Sequence, residues 1–119
     1  MREQAKTYLT EAGIDVKDVM ERFMGNEALL ERMLKKFTQS NVQETLEEAV
    51  KNQDSKAALE ASHTLKGMTA NLSMSELTRL YTRQVEFLRS EDEESAFGLM
   101  EEITEEYQRM VQKILDTPW

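Results

Sequence analysis

The single histidine of the chain, His63, is followed after three residues by Lys66 and after four by Gly67, within the stretch ASHTLKGMTANLSM at 61–74. A neutral imidazole is a nucleophile, and an exposed one, with a reference pKa of about 6.5, keeps a ring nitrogen available near neutral pH. Attack by that nitrogen on phosphorus gives a phosphoramidate. An ammonium one helical turn away can then offer positive charge and several donors to the phosphoryl oxygens. Lys66 stands at that spacing.

Gly67 needs a separate reason, because glycine weakens a helix interior by about 1 kcal/mol relative to alanine. Without a side chain there, a second protein can approach along the helix and bring a donor atom in line with the ring. On a helix, residues three and four apart are surface neighbours, so Leu59, Lys66, Gly67 and Ala70 share the strip of His63. At about 100° per residue, the core positions Ala61 and Leu65 lie about 160° away around the axis. The imidazole is expected to face outward.

Other chemistries fit less well. Glu60 and His63 have the Glu-x-x-His spacing of di-iron bundles, but those sites converge two such motifs and the chain has no second histidine. Ser62 beside His63 suggests a hydrolase pair, yet adjacent helical residues point about 100° apart. A kinase dimerisation helix usually has an acidic residue directly after its histidine; Thr64 follows here, and no glycine-rich nucleotide-binding segment exists. The glutamates of 91–106 read as a solvated face, and the methionines mainly as core.

The strip must be carried by helices. Residues 2–11 and 15–24 predict two short helices separated by Gly13-Ile14-Asp15. From Glu27 to Asn52 there is no glycine or proline, and apolar residues recur at helical spacing. The spacing predicts one long helix, bent near Ser40. Asp54 or Ser55 caps the segment holding Ala58, Ala61, Leu65, Met68 and Leu72, which carries His63. A turn at Ser73–Ser75 leads to the helix of Leu77, Leu80, Tyr81, Val85 and Leu88; SEDEES at 90–95 reads as an exposed acidic link. Ala96, Met100, Ile103, Tyr107, Met110 and Ile114 mark the last helix, stopped by Pro118. The expected class is all-α: one domain over 1–119, an antiparallel four-helix bundle at 26–116 with the two short N-terminal helices of 1–25 packed over it.

Composition narrows the partners. Acidic residues outnumber basic ones 23 to 15, a formal charge of −8 that repels nucleic acid and anionic bilayers. The chain has no cysteine and no apolar run of membrane-spanning length, so no disulfide or thiolate metal site is possible, and a cytoplasmic protein without membrane partners is expected.

With these residues in view, HTLKG followed by MTANLSMSEL resembles the His-x-x-Lys-Gly signature of histidine-containing phosphotransfer (HPt) domains, and GIDVKDVMERFMGNEALLERMLKKF at 13–37 resembles their lead-in. The resemblance implies that His63 is the phosphoacceptor, Lys66 its electrostatic neighbour and Gly67 the access position. It implies a phosphocarrier without autonomous catalysis or cofactor, expected to be monomeric. Its partners would be a sensor or hybrid histidine kinase and response-regulator receiver domains, with the receiver supplying the aspartate and the Mg²⁺. The alternative is a pseudo-HPt adaptor that binds receivers or another protein without carrying phosphate. Ile14, Met20 and Met24 from the short helices, with Leu59 and Ala70, are the expected docking residues. The starting methionine and the end at Trp119 favour an independent chain over a piece of a larger kinase. The chain departs from the resemblance at Ser73, where many members have glycine after the Asn-Leu pair.

Overall fold

The computed structural model describes residues 1–119 and is all-helical, with eight helices. They are α1 (Glu3–Ala12), α2 (Val16–Arg22), α3 (Glu27–Thr38), α4 (Val42–Lys51), α5 (Ser55–Asn71), α6 (Ser75–Arg89), α7 (Glu93–Gly98) and α8 (Met100–Leu115). The two short N-terminal helices are where the sequence places them. Gly13 separates them in the left-handed region (φ 105°), its N–H closing α1 on the Thr10 carbonyl.

Two expectations need correction. The long helix of 27–52 is two helices, α3 and α4, interrupted at residues 39–41. The N–H groups of Gln39 and Ser40 turn back to the carbonyls of Lys36 and Phe37, which tightens the last turn. The Ser40 hydroxyl accepts from the Val42 N–H at 3.3 Å, so a local side-chain bond starts α4 afresh. Likewise the acidic stretch 90–95 is not all link. Asp92 caps α7 by accepting from the Ser95 N–H at 3.1 Å, and Ala96 of α7 is fully buried.

Three connections share one construction. At 52–54, 72–74 and 90–92 a single residue in the left-handed region closes one helix, and the next residue opens another. In each, the residue after the left-handed one bonds back to the carbonyl five residues earlier, from Asp54 to Ala49, Met74 to Thr69 and Asp92 to Phe87. The left-handed positions hold Gln53 (φ 55°), Ser73 (φ 54°) and Glu91 (φ 60°), none of them glycine.

These tight turns lay neighbouring helices side by side. α5 packs most extensively on α6 and next on α4, α6 also meets α7 and α8, and α1 and α3 both rest on α8. The apolar stripes meet in one core that includes Leu9, Leu34, Leu46, Leu65, Leu80 and Ile103. Inside it the Tyr81 hydroxyl donates to Gln43 Oε1 at 2.6 Å, joining α6 to α4, and burial pushes the Tyr81 hydroxyl far above its ordinary value.

A side chain at positive φ is strained and glycine is not, so Gln53→Gly and Glu91→Gly, both at exposed turn tips, should each stabilise the fold by about 1 kcal/mol. Urea unfolding of each variant beside the parent chain checks this.

Candidate functional site

Helix α5 buries Ala58, Ala61, Ser62, Leu65 and Thr69 between its neighbours. The opposite side is left for His63, Thr64, Gly67 and Ala70, all exposed, with Leu59 and Lys66 half-buried beside them. The imidazole faces outward, as the helical arithmetic requires. Ser62 is fully buried while His63 is exposed, so the two side chains do not form a nucleophile–base pair.

No charge partner occupies the strip. Neither His63, Lys66 nor Glu60 takes part in any of the chain's ion pairs. The Lys66 ammonium is therefore uncommitted one turn from the imidazole. A Cβ built on Gly67 meets nothing within 4 Å, so no neighbouring helix requires glycine there. That removes close packing as its reason and leaves an open stretch of backbone beside the ring. No group of three or more histidine or acidic side chains converges anywhere in the chain.

The Hpt domain family model matches residues 27–113, from the start of α3 through nearly all of α8, with the strip inside the match. The chain belongs to the Hpt domain family. Comparison with curated proteins and with solved structures gives no significant match. Hpt domains are phosphocarrier modules of two-component signalling rather than catalysts.

In this Hpt domain Ser73 closes α5 in the left-handed conformation, and its hydroxyl both donates and accepts. The Ser73 hydroxyl donates to Asp18 Oδ2 at 2.7 Å and accepts from Arg22 Nη1 at 2.8 Å. Arg22 also donates to the Asn71 carbonyl at 3.1 Å and to Asp18 Oδ2 at 3.0 Å. A guanidinium at a helix C-terminus satisfies an orphan carbonyl and opposes the helix dipole. Backbone bonds extend the tie, from the Asp15 N–H to the Ser73 carbonyl at 3.0 Å and in the bridge between Ile14 and Met74. Thus α2 is latched to the end of the helix that bears His63.

The remaining expected site residues divide. Ile14 is 1% exposed, held in that bridge, and cannot present a docking surface. Met20 is half-buried against the core, and Met24 is 92% exposed. Sequence reasoning missed an apolar groove of about 450 Å³ between the C-terminal halves of α3 and α5, floored by Met33, Phe37, Met68 and Leu72 with Lys36 and Asn71 at its rim. It also missed the latch, of which only the Asp18–Arg22 spacing of four was visible.

Two outcomes follow from this geometry. Gly67→Ala should raise stability by about 1 kcal/mol, because the new methyl group meets no neighbour and only the helix penalty is removed; thermal and urea unfolding read it. For the latch, hydrogen bonds from the Ser73 hydroxyl and then Arg22 hold the Asp18 carboxyl below its ordinary range. A lowered folded pKa contributes stability that is complete above the unfolded value and is lost as pH falls through the folded one. Asp18→Asn should therefore be less stable than the parent chain at neutral pH, and the gap should narrow as the pH of the urea titration is lowered below the ordinary aspartate range.

Proposed function

We propose that this Hpt domain carries a phosphoryl group on His63, taking it from a receiver-domain aspartate or a chemotaxis-type kinase and passing it to a second receiver aspartate. The observation that carries this reading is the bare strip: an exposed imidazole, an uncommitted ammonium at Lys66 and open backbone at Gly67, on one side of a helix whose other side is buried. In the transfer the unprotonated, distal ring nitrogen attacks phosphorus; the N–P bond forms as the acyl P–O bond breaks, and the receiver's carboxylate leaves. Lys66 balances charge on the phosphoryl oxygens. The receiver brings the Mg²⁺, so the domain is a carrier and not an enzyme in its own right.

Within the same reading, α3–α4, α5, α6 and α8 form the antiparallel four-helix bundle of 26–116, with α1 and α2 over one end. The short turns and the contacts of α5 with α4 and α6 support it. We assign docking to Leu59 and Ala70 on the strip, to Met20 and Met24, and to the groove between α3 and α5. No helix is long and apolar enough to cross a membrane.

Intact-mass measurement at neutral pH, after mixing with a panel of phosphorylated receiver domains, should find one added phosphoryl group on the wild-type chain and none on His63→Gln. Stoichiometric labelling retained by His63→Gln would refute the assignment. Gly67→Gln, whose side chain enters the open approach, should slow transfer roughly tenfold or more while the helix stays folded. Binding of receivers without labelling of either protein would transfer the reading to the adaptor.

A further inference from the structure

The eight methionines of the chain are not equivalent. Met74 and Met110 are 0% and 2% exposed inside the core. Met1, Met20, Met33, Met68 and Met100 are partly buried and pack against it. Met24 alone stands clear, at 92% exposure, in the left-handed position (φ 55°) that ends α2. Its N–H bonds to the Glu21 carbonyl and that of Gly25 to the Met20 carbonyl, so the backbone of this turn is anchored while the thioether has no core contact.

We propose that Met24 is a modification site, the methionine that a peroxide oxidises first and does so without disturbing the fold. The chemistry needs only access to sulfur, and susceptibility follows exposure. The thioether sulfur attacks one peroxide oxygen; the S–O bond forms as the O–O bond breaks, sulfur is oxidised, and the departing hydroxide takes up a proton and leaves as water. The product is a polar sulfoxide in place of an apolar side chain. In the core such a change would strand a polar group. At Met24 it changes only the surface, two residues beyond the Arg22 that grips the end of α5. The inference stands on exposure and packing and does not depend on phosphotransfer.

The test is a timed exposure of the folded chain to hydrogen peroxide, with peptide mapping by mass spectrometry and circular dichroism on the same samples. Met24 should gain oxygen at least roughly tenfold faster than Met74 and Met110, and ahead of the five half-buried methionines. The helical signal should be unchanged after the first uptake, and Met24→Leu should lose that first uptake. A first oxygen on any other methionine, an unaltered first uptake in Met24→Leu, or loss of helix with the first oxygen would each overturn the proposal.

Discussion

The structure depends on the two-sidedness of α5. One face of this helix is wedged between α4 and α6 through small and medium side chains, Ala58, Ala61, Ser62 and Leu65. Burying that face fixes the rotation of the helix about its axis, and with it the direction of every side chain on the other. His63 is held outward by what lies behind it. The strip needs no network of its own, and the ring remains exposed.

The second dependence is at the end of α5. A serine in the left-handed conformation is a poor choice on backbone grounds, where glycine carries no steric cost. Here its hydroxyl joins Asp18 and Arg22, and its carbonyl holds Asp15. The strain at one residue is offset by bonds that attach a second helix. Ser73 thereby marks a joint between the N-terminal pair and the histidine helix.

Much of this was legible in the sequence, for identifiable reasons. The intervals of three and four among Ala58, Ala61, Leu65 and Leu72 set the buried face of α5, and the outward strip followed by arithmetic alone. The break at 39–41 was hidden because no glycine or proline marks it and its only trace is the interval of five from Phe37 to Val42; Ser40 makes it with a local side-chain bond. Helix α7 was hidden because its cap, Asp92, is one of four consecutive acidic residues. Ile14 was expected to help form a docking patch with the short helices, but its bridge partner Met74 is sixty residues along the chain. Contacts of that range leave no periodic trace, and the latch across 55 residues between Asp18 and Ser73 is of the same kind.

The three-residue turn between α5 and α6 has a consequence for the order of folding. The most extensive helix pair in the molecule is joined by a link of only three residues, so its contacts are local along the chain and cost little loop-closure entropy. By contrast α1 meets α8 across almost the full length, where Arg109 donates to the Ala12 carbonyl at 2.7 Å. We expect the hairpin that carries the histidine to assemble early and the terminal helices to close over it late, so that the strip takes its shape before the ends of the chain have met.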